Sequence, residues 1–340
     1  MTEKYFASAN GYSGFRSYFK DVFSEEDLCR YFILKGGPGT GKSTFMKRIA
    51  ENFSERVDSC ELILCSSDTQ SLDGVILAKK GRRIAIVDGT APHTVDPNFP
   101  GAVSEIINLG EGWDSSGLVA RRDTIIALSR TKGAEYFAAY EALALAGKLN
   151  DRIISIAAAH FDKKRAEVAA QILLSDNEKN IDRPRVRLVS SFGKSGRILL
   201  PFFERFEKIK ICGKYGSATL FVSLLKVLAE RSSLVTTLLP SALDGNFYDG
   251  ILTGDRAYII AEDGISAEEF LTEFSVEERA ELAELTHIHD RLLRLATEHF
   301  SNASNIHFSL EDIYSSLMNY EKNEEKLHAV KSLCAAALDI

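Results

Sequence analysis

The stretch YFILKGGPGTGKST at residues 31–44 constrains this chain more than any other. Four aromatic and aliphatic residues run into a glycine-rich turn, and the turn runs into STFMKRIAENFSER, whose apolar residues recur at helical spacing. Gly36-Gly37-Pro38-Gly39-Thr40-Gly41-Lys42-Ser43 satisfies the pattern G-x-x-x-x-G-K-[ST] in full. Glycines let successive backbone N–H groups turn inward on a polyphosphate, where side chains would collide with it. The helix that follows offers its unpaired N–H groups and the positive end of its dipole to the same anion. On this reading Gly36, Gly37, Pro38, Gly39, Thr40 and Gly41 line the loop. Lys42 brings a point charge to the β- and γ-phosphates, and the Ser43 hydroxyl is a ligand for Mg²⁺. Thr44, one residue further into the helix, is placed to touch the α-phosphate. The expected ligand is a nucleoside triphosphate, ATP, with Mg²⁺.

The chain is also written twice. ASANGYSGF (7–15) resembles VSSFGKSGR (189–197), and DTQSLDGVIL (68–77) resembles DGNFYDGILT (244–253), aligning Asp68 with Asp244 and Asp73 with Asp249. RIAIVDG (83–89) resembles AYIIAEDG (257–264), and NDRIISIAAAHF (150–161) resembles HDRLLRLATEHF (289–300). Four weak matches in one order point to a duplicated module. Asp88 to Asp151 is 63 residues and Asp263 to Asp290 is 27, so these matches give the first copy 36 extra residues after its IVDG strand. The second copy has its own apolar strand and glycine turn, KIKICGKYGSATLF near 209, without the lysine. There the position of Lys42 falls on Thr219 or Phe221, depending on where the gap lies. This second loop reads as a folding unit that has lost its phosphate chemistry.

The resulting expectation is an α/β chain of two tandem three-layer modules, with mainly parallel sheets and helical hairpin extensions. The apolar runs at 31–35, 60–65 and 83–88 are short and bounded by Gly, Asp or Ser, as buried parallel strands are. Stretches 117–174 and 267–298 are rich in Ala, Leu, Glu and Arg, lack proline and read as helical hairpins. The polar segment 177–187, with Pro184, is the candidate linker between a first domain over 1–180 and a second over 186–340. The inserted loop and helical segment falls at about 91–130.

Several further residues have two readings each. Asp88 ends RRIAIVD, an apolar strand closing on an acid, and either holds Mg²⁺ or caps the turn after its strand. Asp68 and Asp73 follow the second strand as a base or substrate ligand, or as turn formers. Ser66 and Ser67 have no echo in the second copy. His93, Asp96 and Glu105 lie in the proline-punctuated segment directly after Asp88. Arg121 and Arg122, in SSGLVARRD, either stabilise charge during phosphoryl transfer or are solvated surface charge.

With these motifs in place, the chain resembles the bacterial tandem P-loop ATP-binding proteins, which repeat one P-loop module twice. The resemblance rests on GGPGTGKST, CSSDTQSLDGV and IAIVDGTAPHTVDPNFPGAVSEIINLG. It covers nearly the whole chain and is densest over 31–115. It implies a P-loop NTPase fold and ATP binding at Lys42, Ser43 and the surrounding glycines, and it brings no substrate or pathway. Members usually carry the loop motif in both halves, and this chain departs from that in the second.

The function classes then narrow. The net charge of −7 disfavours a broad nucleic-acid surface or an anionic membrane surface, and no glutamate follows Asp88 as it does in helicase-type motors. Five cysteines without a CxxC pair suggest reduced thiols in a cytoplasmic protein. The longest apolar stretch, SATLFVSLLKVLA, is broken by Lys226 and too short to span a bilayer. Three readings remain. The first is an ATP hydrolase whose second half is a scaffold. The second is a small-molecule or nucleoside kinase with 66–73 and 93–122 as its acceptor site. The third is a nucleotide-controlled switch that acts on a protein partner.

Overall fold

The computed structural model describes residues 2–180, 184–200 and 205–339, so residues 181–183 of the expected linker lie outside it. The first copy runs β1 (Thr2–Phe6), β2 (Ser8–Gly11), β3 (Gly14–Ser17), α1 (Phe19–Val22), β4 (Arg30–Lys35) and α2 (Lys42–Phe53). It continues through β5 (Ser59–Leu64), β6 (Leu72–Lys79), β7 (Arg82–Asp88), β8 (Ser104–Asn108), α3 (Ser115–Ala120), α4 (Arg122–Ala159) and α5 (Lys163–Leu174). The second copy runs β9 (Arg185–Val186), β10 (Ser190–Gly193), β11 (Gly196–Leu199), β12 (Glu207–Cys212), α6 (Ser217–Arg231) and β13 (Thr237–Pro240). It ends with β14 (Tyr248–Thr253), β15 (Arg256–Ile260), β16 (Ile265–Ser266), α7 (Val276–Ser315) and α8 (Glu321–Leu338).

The two sheets have one topology. Their orders are β1-β5-β6-β7-β4-β8 and β9-β13-β14-β15-β12-β16, and strands in corresponding places pair in the same sense. Both sheets are mixed, with most pairings parallel, and the chain is α/β as expected. The departure is β6 and its twin β14, which run antiparallel to both neighbours. Parallel strands need a crossover of a dozen or more residues. Only 65–71 join β5 to β6, and two residues, Lys80 and Gly81, join β6 to β7. Both of these have positive φ, 48° and 77°, as a type I′ hairpin turn requires.

The cores follow the apolar patterns. On β4, Phe32, Ile33 and Leu34 are fully buried, as a central strand covered on both faces demands. Helix α2 buries Phe45, Met46, Ile49, Ala50 and Phe53, a stripe at helical spacing. Helix α6 buries Ala218, Phe221, Val222, Leu225 and Ala229 in the same way.

The chain forms two compact units that do not follow the sequence halves. Unit 1 comprises Met1–Ser8, Ser17–Phe137 and His299–Ile340, and unit 2 comprises Ala9–Arg16 and Ala138–Glu298. In unit 1, α8 packs on β7 and α2, and in unit 2, α5 packs on α6. Each unit therefore adds, to the α2 or α6 that packs on its own sheet, a helix encoded after the other sheet. Isolated bridges mark corresponding joints, Trp113 with Met318 and Phe161 with Leu271. These joints correct one sequence match. Residues 150–161 close α4, whereas 289–300 lie in the middle of α7, so the two segments are not equivalent. The first copy's surplus between sheet strands is smaller than that match implied. Residues 89–103 join β7 to β8, where 261–264 join β15 to β16.

The 89–103 segment is tied down. Lys35 Nζ donates to the carbonyls of Gly89 (2.9 Å) and Val95 (2.7 Å) and pairs with Asp96. Glu25, buried beneath it, accepts from Asn98 N and Nδ2, Phe99 N and Ser104 Oγ. Replacing Glu25 by Ala strands these donors, and a buried unmade hydrogen bond costs about 1–3 kcal/mol. Glu25→Ala should lower the melting temperature by several degrees and open 96–101 to limited proteolysis; an unchanged digestion pattern would contradict this account.

Candidate phosphate-binding site

The site is built at the carboxyl end of β4, where ligands of open α/β sheets bind. Gly41 stands at φ 83° and caps α2, which begins at Lys42. Thr40 Oγ1 donates to Gly37 O at 2.9 Å and closes the loop on itself. Lys42 Nζ lies inside, donating to the carbonyls of Gly36 (2.8 Å) and Gly37 (2.9 Å). Ser43 Oγ accepts from Leu72 N at 3.0 Å, which fastens the start of β6 to the start of α2. Pro38 is half-buried and Thr44 is exposed.

The parallel pairing of β4 with β7 sets Leu34 opposite Asp88 and brings the Asp88 carboxylate to 3.7 Å from Lys42 Nζ. One Asp88 oxygen accepts from Thr90 N (2.9 Å) and Thr90 Oγ1 (2.6 Å), which leaves the other facing Lys42. Sequence reasoning brought Lys42, Ser43 and Asp88 together, and the structure places them together. Arg121 and Arg122 are both exposed, and Arg122 donates to its neighbour Asp123 at 2.9 Å.

Asp68 and Asp73 divide. Asp68 is a turn former, its backbone carbonyl accepting from Ser71 N and its carboxylate from Ser71 Oγ. Asp73 is not in a turn: it is the second residue of β6 and is buried, 4% exposed, at the same sheet edge as Asp88. Burial, with the charge of Asp88 next in weight, raises its carboxyl to about 8, and Cys65 and Lys42 partly offset this. One Asp73 oxygen has no hydrogen-bond partner among the described residues. His93 Nε2 lies 3.8 Å from the other, and its ring stacks on Phe19 at 4.3 Å. Burial lowers the His93 pKa against the pull of Asp88, favouring the neutral imidazole. Asp73 repeats in the second copy, which made it look structural in sequence. The apolar run VILA directly after Asp73-Gly74, which forms β6, is the signal to the contrary.

Residues from the far end of the chain complete the loop. A methyl group on Gly39 would lie 2.8 Å from Glu311 O and 3.0 Å from Ser315 N. Tyr320 OH donates to Gly39 O at 2.7 Å, and Asn323 Nδ2 donates to Thr40 O at 2.9 Å. Trp113, the chain's single tryptophan, lies over Gly37 with its ring 3.2 Å from where a methyl group would stand. On α4, Lys132 is half-buried with its pKa lowered by that burial, and Tyr136 hydrogen-bonds Ser67. Nothing local in these sequences announces such contacts, since they span up to 283 positions.

The second loop has the same frame without the chemistry. Gly213 and Gly216 take the positions of Gly36 and Gly41, and α6 begins at Ser217. Ser217 therefore stands where Lys42 does, which corrects the expected Thr219 or Phe221. Glu268 Oε1 accepts from Lys214 N at 3.3 Å, so a carboxylate already occupies this loop's amide. Asp249, the twin of Asp73, is held by Ser190 and by Arg197 at 2.9 Å. The registers correct the match of Asp88 to Asp263. Ile260 lies opposite Ile211 as Asp88 lies opposite Leu34, so Asp88 has an apolar counterpart. Asp263, in the connection after β15, is exposed and pairs with Lys210 at 2.9 Å.

Comparison with known proteins finds no matching family model, no matching curated protein and no matching solved structure. Among the described residues no helix is long and apolar enough to cross a membrane.

The Asp73 carboxyl carries a stability signature. Its pKa of about 8 in the folded chain exceeds the ordinary value of 3.8, so folding favours the protonated form. That contribution is complete below about pH 4 and is lost as the pH rises through about 8. Asp73→Asn removes the dependence. The ligand-free variant should melt several degrees above the parent at about pH 8.5 and close to it at about pH 4.5. Parallel melting curves across that range would overturn the assignment.

Proposed function

We propose that the chain is a P-loop ATP-binding protein whose first module binds and hydrolyses Mg-ATP while its second module is an inactive scaffold. The observation that carries this reading is Lys42. An ammonium drawn onto the carbonyls of Gly36 and Gly37, 3.7 Å from Asp88, is a cation positioned for an anion in the loop. Lys42 would move from those carbonyls to the β- and γ-phosphates, while the loop N–H groups and the start of α2 take the remaining oxygens.

The residues present fit Mg²⁺. Ser43 and Asp88 offer hard oxygen donors at one edge, and Mg²⁺ commonly takes one or two protein ligands with phosphates and water completing its shell. When bound, the ion would neutralise charge that builds on the phosphates. Asp88 keeps one oxygen for this role because Thr90 holds the other.

One observation favours a second reading, phosphoryl transfer to a small acceptor. The buried Asp73–His93 pair beside Asp88 supplies a protonated carboxyl and a neutral imidazole, proton-transfer groups that phosphate binding alone does not require. The segment 89–103 would then be a fixed wall of the acceptor pocket, given its ties to Lys35 and Glu25. Arg121 and Arg122 are exposed, and the half-buried Lys132 is the better-placed cation on α4.

Phosphate release by the purified protein tests the proposal. Lys42→Ala removes a charged contact worth about 1.5–3 kcal/mol and should weaken ATP binding about 10- to 100-fold while abolishing turnover. Lys214→Ala should leave both within about twofold, since its loop amide is already engaged by Glu268. Turnover that survives in Lys42→Ala, or falls in Lys214→Ala, would refute the division of roles. Release that appears only with an added metabolite would favour the transfer reading.

A further inference from the structure

An ATP site needs more than a phosphate cradle, and the loop's direction says where the rest of the nucleotide must go. Lys42 and Asp88 mark the end for the terminal phosphate. The chain then passes the first turn of α2, so ribose and base emerge beyond Gly41 and Thr44. That exit is not bare. The first turn of α8 lies beside the first turns of α2, joined to it by the Arg48–Glu324 ion pair and by Asn323 Nδ2 on Thr40 O.

Tyr320 stands at this exit. Its ring lies 3.6 Å from where a methyl group on Gly41 would stand, and its hydroxyl is fixed on Gly39 O. Yet 41% of the residue is exposed, so an aromatic face is open beside the loop. The backbone around it is braced, with Asn319 N on Gly112 O, Asp114 N on Leu317 O, and Asn319 Oδ1 capping Glu321 N. The second module offers an internal comparison. Counting from the equivalent bridges at Met318 and Phe161, the position of Tyr320 is Lys163. At that position the second module has no aromatic ring.

We infer that Tyr320 is the platform on which the nucleobase stacks, with its hydroxyl bond to Gly39 O holding the ring in line with the phosphate loop. This rests on the phosphate-site reading above and extends it to the base. Base–aromatic stacking contributes about 1–3 kcal/mol and tolerates any base. The expected specificity is therefore for a nucleotide over inorganic triphosphate, with little discrimination between purines from this residue alone.

The test compares two probes, Mg-ATP and inorganic tripolyphosphate with Mg²⁺, by calorimetry on the full chain. Tyr320→Leu keeps apolar volume against Gly41 and removes the π face. It should weaken ATP binding about tenfold and leave tripolyphosphate within about twofold. Tyr320→Phe keeps the face and should hold ATP within about threefold. Equal weakening of both probes in Tyr320→Leu would show a loop support and overturn the inference, as would no change in either. A parent protein that binds tripolyphosphate as tightly as ATP would overturn this inference alone. One that binds neither, with Lys42→Ala indistinguishable from it, would remove the phosphate site itself.

Discussion

The parallel register of β4 on β7 is the constraint on which the site in unit 1 depends. It sets Leu34 against Asp88, and the next residues of β4 enter the loop that ends at Lys42. A shift of one residue would turn Asp88 to the other face of the sheet and bury it against apolar side chains. The apolar content of both strands prevents this. Phe32, Ile33 and Leu34 on one strand and Ile84, Ala85, Ile86 and Val87 on the other are fully buried, so both faces are committed. The antiparallel β6 adds a third group to the same edge, because its start lies beside the end of β7. Asp73 reaches Asp88 by that route, and the bond from Leu72 N to Ser43 Oγ locks it there.

The second module shows the same topology with a different treatment of its polar groups. Carboxylates at its sheet edge have internal partners. Arg197 holds Asp249, Lys210 holds Asp263, and Glu268 takes the amide of Lys214. Buried carboxylates without partners are costly, and pairing them removes the cost together with the chemistry. In unit 1 the twin of Asp249 instead keeps an unpartnered oxygen, and its pKa is raised by burial. The contrast between Asp73 and Asp249 supports the proposed binding at the first module.

How far the sequence revealed this depends on range. The loop, its strand and its helix are local, and Gly36, Gly41 and Lys42 stand where the motif puts them. The duplication was legible in the strands, since Asp68 with Asp244 and Asp73 with Asp249 are true equivalents. It misled in the helices, where Ala- and Leu-rich periodicity makes any two segments look alike, and 150–161 was matched to the wrong turn of α7. The antiparallel β6 was also within reach, through the two-residue turns Lys80-Gly81 and Gly254-Asp255 between apolar runs. Tyr320, Asn323 and Glu311 were not, because no periodicity reports a contact across some 280 residues.

That long range ties the two copies to each other. The carbonyls of Gly39 and Thr40 accept from Tyr320 and Asn323, and Glu311 and Ser315 pack on Gly39. These residues lie on the helices encoded after the second sheet, so unit 1 completes its loop only with the far end of the chain. A glycine loop with several positive-φ residues loses much conformational entropy on ordering, and contacts that hold its carbonyls offset part of that cost. Unit 2 has the reciprocal dependence, since α5 and the second half of α4 come from before its own sheet. Neither copy can be deleted without stripping helices from the other. The duplication therefore constrains itself: the second loop has no lysine at that place, but its module cannot be removed without taking helices from the first unit.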